Sequence, residues 1–251
     1  MKLAFQKITQ VRYVVGARRT VVDGARLEVA PSPGGQGDSK VQLMLAAERL
    51  FADQGIDGTS LREIATAAGH GNNNAVRYHF GSKEGLIQAI FQHRIVQLEP
   101  ARARLITAVE EKGLTGDVRS LWEVIVLPHL TLRDSDGRFP YASFLLQYLL
   151  NYRPRGMVHA ADGGTLAPNL QRTMDYLFNR LSFLPLDVAD QRIMSMTATF
   201  LAVLIHTENR ANRPDPAAFR AIVDDTLNVI AAGLSAPAPR VSYFIDDSVL
   251  T

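Results

Sequence analysis

Between Ser39 and Gly55 the chain reads SKVQLMLAAERLFADQG, and its apolar positions Leu43, Ala46, Ala47, Leu50 and Phe51 fall at i, i+3, i+4, i+7 and i+8. That spacing predicts one stripe of an amphipathic helix, with Gly55 as its stop. The next stretch, GTSLREIATAAG, sets Ser60 three residues before Glu63, the pattern of a capping box. Leu61, Ile64 and Ala65 form its buried face, and Ala68-Gly69 ends it. A third short helix is expected over 73–79. Ser82 then caps a fourth, with the stripe Leu86, Ile87, Ile90 and Phe91, expected to end near Pro100.

Helical periodicity continues near 101–112, 117–131, 139–153, 166–183, 187–210 and 215–233. The breaks are Gly113 to Gly116, Asp134-Ser135-Asp136-Gly137, the loop 154–164, Pro185, and Pro214 with Pro216. No strand–helix alternation and no internal repeat interrupts this series, so the expected class is all-α. Residues 1–38 differ from the rest. Lys2, Lys7, Arg12, Arg18, Arg19 and Arg26 outnumber Asp23, Glu28 and Asp38, VVDGARLEV offers a weak Asp-Gly hairpin, and PSPGGQG reads as a linker. A basic, disordered extension is expected there, the alternative being an arm that touches DNA phosphates. The tail 234–251 is broken by prolines and expected to be loosely attached.

Composition narrows the chemistry. With 251 residues, 47% hydrophobic and 21% charged, and a formal net charge of +2, any basic surface must be local. The absence of cysteine removes disulfides and thiolate metal sites. No run approaches the roughly 18 apolar residues of a membrane span, and MKLAFQKITQ lacks the apolar region of a secretory signal. A cytoplasmic protein without membrane contact is expected. His70, His79, His93, His129, His159 and His206 are scattered, the Asp134 loop lacks the acidic twelfth ligand of a calcium site, and no nucleophile motif is present. Neither metal, cofactor nor enzymatic activity is expected.

Residues 39–93 therefore carry the chemical interest. One long helix followed by two short ones across a tight Ala68-Gly69 turn is a helix-turn-helix arrangement. The third helix would project Gly71, Asn72, Asn73 and Asn74 outward. An asparagine amide matches the N6/N7 edge of adenine, and Arg77, one turn later, suits guanine or a phosphate. One of the three asparagines is expected to serve only as a cap.

The run LREIATAAG…AVRYHFGSKEGL resembles the TetR family of bacterial transcriptional regulators. The resemblance covers about 50 residues: the first-helix pattern over 43–51, Gly55, Thr59 to Ala65, Ala68-Gly69, and His79-Phe80 followed by Ser82-Lys83-Glu84 and Leu86. Two departures stand out. Arg77 occupies the usual tyrosine position three residues before the Phe, with Tyr78 next to it, and the segment between Gly69 and Phe80 is one residue longer. The resemblance implies that Thr59 and Ser60 accept a phosphate and that Asn72, Asn73, Asn74 and Arg77 face the major groove. It also implies that Tyr78, His79, Ser82 and Lys83 meet the backbone, and that Phe80 is core. The plain alternatives are a solvated asparagine loop, a structural His79 and a surface Lys83.

By the same resemblance, the helices of 94–233 bind an effector and dimerise. Trp122, His129, Tyr148 and Met174, each combining apolar bulk with a polar or polarizable tip, are the candidate effector residues. The segments 187–210 and 215–233, whose MTATFLAVLIHT is apolar around most of its circumference, are the candidate interface with a two-fold mate, which would make the operator palindromic. The expected function is a homodimeric repressor released from double-stranded DNA by a small-molecule effector. The rivals are a helix-turn-helix that binds protein and, more distantly, an all-α enzyme.

Overall fold

The computed structural model describes residues 36–72, 74–152, 166–208 and 214–238. They lie in a unit, Gln36–Thr251, separate from Met1–Gly35. The hairpin, the basic arm and most of the linker expected before Gln36, Asn73, the loop 154–164 and the end of the tail lie outside the described residues.

Nine α-helices and no strand occur among the described residues. α1 (Gln36–Gln54) starts three residues earlier than its apolar stripe predicts, with Asp38 in its first turn, where a carboxylate favours the helix dipole. The stripe is buried as expected: Leu43, Ala46, Ala47 and Phe51 are closed to solvent, and Leu50 packs on them partly exposed. α2 (Leu61–Ala67) and α3 (Ala75–Phe80) are short, and α4 (Lys83–Glu111) is long.

Two breaks fall differently from the sequence expectation. α4 runs through Pro100, so 83–111 is one helix where two were expected. Proline takes away the hydrogen bond to the Val96 carbonyl, but Val96 and Pro100 are both exposed, so water replaces it. Conversely, the segment 117–131 is two elements. α5 (Val118–Val126), capped by the Asp117 carboxylate on Ser120 N at 2.8 Å, tightens at Pro128 into a 3-10 helix, Leu127–Leu132. α6 (Pro140–Gln147) passes into a π turn, Tyr148–Tyr152. α7 (Pro168–Arg180), α8 (Leu186–His206) and α9 (Pro216–Ser235) complete the body, α9 being capped by Asp215 on Ala217 N and Ala218 N, both at 2.8 Å.

An aromatic chain ties the first helix to the body. Phe51 lies 5.6 Å from Phe144 between ring centroids, Phe144 5.1 Å from Phe91, and Phe91 4.7 Å from Tyr148. Beside it the Arg94 guanidinium forks onto Glu48, Nε to Oε2 at 2.7 Å and Nη2 to Oε1 at 2.6 Å, both groups being buried. Gln147 Nε2 also donates to the Ala52 carbonyl at 3.0 Å. α1 is thus held to α4 and α6 by packing and by a desolvated ion pair.

α8 is the most apolar long helix among the described residues. By length and composition alone it is apolar enough to cross a membrane, with a mean hydropathy of 1.3, and only 22% of that window is buried. The Thr197 and Thr199 hydroxyls donate back to the carbonyls of Ile193 and Ser195 one turn earlier, which satisfies their polarity within the helix.

Candidate nucleic-acid interface

The head is built from local rules. Ser60 Oγ accepts from Glu63 N at 3.2 Å, and Glu63 Oε2 accepts from Ser60 N at 2.7 Å, so the capping box is closed. These hydrogen bonds from Ser60 hold the Glu63 carboxyl below the usual range. α2 ends on Gly69, whose φ of 75° is in the left-handed region, where a side chain would be strained. Its neighbour His70 N returns to the Ala65 carbonyl at 2.9 Å, while His70 Nε2 meets Ser39 Oγ at 3.1 Å and ties the turn to α1.

α3 sits with one face in and one face out. Ala75 and Val76 are buried, and Phe80, expected to be core, packs partly buried against it. Asn74, Arg77 and Tyr78 stand at i, i+3 and i+4 on the opposite face, all exposed, with Tyr78 at 75%. Asn72, also exposed, closes a turn ahead of α3: its Oδ1 accepts from Asn74 N at 2.9 Å. Asn74 occupies the cap position by backbone but makes no side-chain cap, so its amide is free of that duty. His79 is half-buried with its ring edge-on to Tyr78 at 4.9 Å, and desolvation, with Lys40 and His70 nearby, pushes its imidazole below the ordinary range.

At the start of α4, Ser82 Oγ accepts from Gly85 N at 3.1 Å. Gly85 is required by packing: a Cβ there would lie 2.1 Å from the Phe80 carbonyl oxygen, a backbone atom that cannot step aside. The ammonium of Lys83, half-buried, donates to the Ile56 carbonyl at 2.9 Å. Lys83 therefore ties α4 to the α1–α2 loop, which accounts for a cation at an otherwise unfavourable helix start.

One residue of the expected phosphate-facing set is corrected. Thr59 is 1% exposed, and its hydroxyl donates inward to Gly55 O at 2.8 Å and Leu50 O at 3.3 Å. A β-branched hydroxyl beside an apolar turn satisfies itself on nearby carbonyls, so it is unavailable to a phosphate. Ser60, Asn72, Asn74, Arg77, Tyr78 and Ser82 are all exposed on the head.

In the body, the expected effector residues fall in the core. Trp122 and Tyr148 are fully buried, His129 nearly so, and Met174 on α7 packs partly exposed against the same core. His129 stacks on Tyr141 at 5.9 Å, Tyr141 meets Phe91 edge-on at 6.5 Å, and Phe91 reaches Tyr148. His129 Nδ1 lies 3.1 Å from the Val126 carbonyl. Burial and the neighbouring Arg102 charge push its pKa down to about 3.

Sequence reasoning missed an open cavity of about 560 Å³ between α5, the 3-10 helix and α9, lined among others by Leu127, Leu130, Phe219 and Leu227. None of the four expected residues lines it. Arg133 lies at its edge, over the rings of Phe139 at 4.7 Å and Phe219 at 4.9 Å, a grouping far apart in sequence.

An all-helical chain whose N-terminal helices form a helix-turn-helix with a polar outer face defines the class. Residues 43–90 match the family model of the bacterial regulatory proteins, tetR family. It is 33% identical over 86 residues to the HTH-type transcriptional repressor AcnR of Corynebacterium glutamicum, covering 34% of this chain and 42% of that one. It is 31% identical over 86 residues to the HTH-type transcriptional repressor NicS of Pseudomonas putida, covering 34% and 40%. The match thus spans about two-fifths of the length of these relatives. Among solved structures, a mutant HlyIIR protein matches 83% of this chain and 100% of its own at 14% identity, with a TM-score of 0.45.

Proposed function

We propose that the chain is a DNA-binding transcriptional repressor that reads a palindromic operator as a homodimer and is released by a small-molecule effector. The observation that carries this reading is α3, which buries Ala75 and Val76 and presents Asn74, Arg77 and Tyr78 together on its outer face. Asn74 and Arg77 read base edges. Tyr78, Ser60, Ser82 and the half-buried His79 meet phosphate and fix the register. Asn72 closes the turn ahead of α3. Lys83 contributes positive potential while holding the α4 corner.

The body supports the rest of the reading. α8 is apolar yet mostly uncovered, Met194 on it is 38% exposed, and Ile222 and Val229 on α9 are 38% and 57% exposed. A two-fold mate covering these faces removes apolar surface from water. The effector favours a conformation whose head spacing mismatches successive major grooves.

The test compares the gene's upstream duplex with a scrambled one. Arg77→Ala or Asn74→Ala should weaken the specific complex by about 1–3 kcal/mol and relax one base-pair preference, leaving scrambled DNA little affected. Equal losses on both duplexes would refute base reading. Failure to bind any duplex would favour a helix-turn-helix that contacts protein.

A further inference from the structure

The cavity between α5, the 3-10 helix and α9 has two chemically different ends. α9 runs against α5 and the 3-10 helix in the opposite direction: Arg119, near the start of α5, meets Asp224 and Asn228, while Arg133, just beyond the 3-10 helix, meets Phe219. At the first end stand the two carboxylates of the lining, Glu123 and Asp224, and Arg119 takes both. Its Nε donates to Glu123 Oε1 at 3.1 Å and its Nη2 to Asp224 Oδ1. At the other end stand Arg133 and Arg220, both exposed. Leu127 and Leu130 of the 3-10 helix and Val223 and Leu227 of α9 supply an apolar wall.

The Arg133 end is shaped for an anion. The Arg133 guanidinium lies 4.7 Å from the Phe139 ring centroid and 4.9 Å from that of Phe219, and the two rings stack at 6.5 Å and 13°. Contact through the flat face leaves the N–H groups directed along the edge, where a carboxylate is held by two parallel bonds. Glu208 feels the Arg133 charge, but its carboxylate accepts from Phe139 N and also answers Arg138. The five residues between Glu208 and Pro214, NRANR, include two arginines and no acid. A cationic ligand has no comparable anchor, because both wall carboxylates already hold Arg119. The volume of about 560 Å³ suits a small organic molecule.

We propose that this cavity is the effector site, and that the effector is an organic carboxylic acid whose apolar body lies against Leu127, Leu130 and Leu227. Its carboxylate sits on the guanidinium edges of Arg133 and Arg220. α9 turns Phe219, Val223 and Leu227 to the cavity and leaves Ile222 and Val229 exposed on the face that would meet a two-fold mate. A ligand lodged against α9 therefore bears on the helix that sets the distance between the heads. The proposal rests on the effector-responsive reading above, and its test measures acid binding and DNA release separately.

The full chain is titrated by calorimetry with phenylacetate, 2-naphthoate and octanoate and with the corresponding amides, while gel shifts follow the upstream duplex. At least one acid should bind saturably with a Kd below about 1 mM, and its amide about tenfold more weakly or worse. Arg133→Gln and Arg220→Gln alter exposed side chains, so each should keep the helical spectrum. Each should weaken the acid about fivefold or more, as loss of a charge-assisted contact requires. Leu130→Trp, which fills the cavity from its half-buried wall, should weaken acid and amide alike. Should that variant fail to fold, Leu127→Phe on the same wall takes its place.

No saturable binding of any acid, amides binding as tightly as acids, or either arginine variant binding the acid unchanged would each overturn the proposal. So would a cavity-filling variant that binds the acid as the native chain does. A chain that selects the upstream duplex but ignores the acids stands as a regulator without this site. Arginine-dependent acid binding in a chain that binds no duplex keeps the site and removes the regulator reading; the same binding with unchanged DNA affinity keeps the site and removes effector release.

Discussion

Replacing Glu48 by leucine should cost more stability than its place on a twenty-residue-scale helix suggests, because it strands a buried cation. In the native protein Arg94 gives Nε and Nη2 to Glu48 at 2.7 and 2.6 Å and Nη1 to Gln97 at 2.7 Å, and lies 5.9 Å from the Tyr141 ring. Without the carboxylate, two charge-assisted bonds vanish inside a site that excludes water. Breaking one side of a buried pair costs about 3–5 kcal/mol. At about 2–4 °C per kcal/mol for a chain of this size, the midpoint should fall by about 6–20 °C. Arg94→Met leaves the opposite orphan, but a carboxyl can take up a proton. Burial already raises the Glu48 pKa against the opposing pull of Arg94. With folded Glu48 holding its proton more tightly than the unfolded chain, the group's stabilising contribution is complete below its unfolded value. It is lost as pH rises through the folded one, and Arg94→Met should steepen that loss. The double variant Glu48→Leu/Arg94→Met should return to within about 2 kcal/mol of the native protein. Urea melts followed by circular dichroism, at one fixed protein concentration and with m compared, supply the cycle. If the single losses simply add in the double variant, the pair does not hold α1 to α4 as described.

Three further outcomes follow from other parts of the molecule. Gly85→Ala should destabilise by about 1–3 kcal/mol in a urea melt, because the Phe80 carbonyl occupies the space its Cβ needs. His129, with a folded pKa of about 3 against an unfolded value near 6.5, binds its proton only in the unfolded chain between those values. Stability should therefore fall as pH drops from 6.5, by up to about 1.4 kcal/mol per pH unit from this group, and His129→Gln should remove that slope. Val229→Glu, placing a charge on the exposed apolar face of α9, should shift the chain to a monomer in sedimentation while retaining its helical spectrum.

Much of the head could be read directly from residue spacing, since its determinants are local. The stripe from Leu43 to Phe51, the Ser60–Glu63 box and the Ser82 cap each involve residues within two helical turns. The outward placing of Asn74 and Arg77 was also legible, with Phe80 of the same short helix expected in the core. The errors came from tertiary satisfaction. Thr59 found carbonyls at Gly55 and Leu50, and Lys83 found Ile56, so neither side chain is as free as its place at a helix start implies. Pro100, expected to end the fourth helix, does not break it because the carbonyl it orphans lies on the water side. Glu99 finds its donors at Asn169 on α7, 70 residues away, and no spacing rule reaches that far.

The central claim is that the outer face of α3 reads duplex DNA in a two-fold assembly. It is tested most directly by titrating the full chain onto the upstream duplex and a scrambled duplex across a salt series, with the stoichiometry measured. The account predicts selective binding to the upstream duplex, an even number of chains per site, and a log–log salt slope that records several phosphate contacts. Equal affinity for both duplexes, or one chain per site with no loss of affinity in salt, would contradict it.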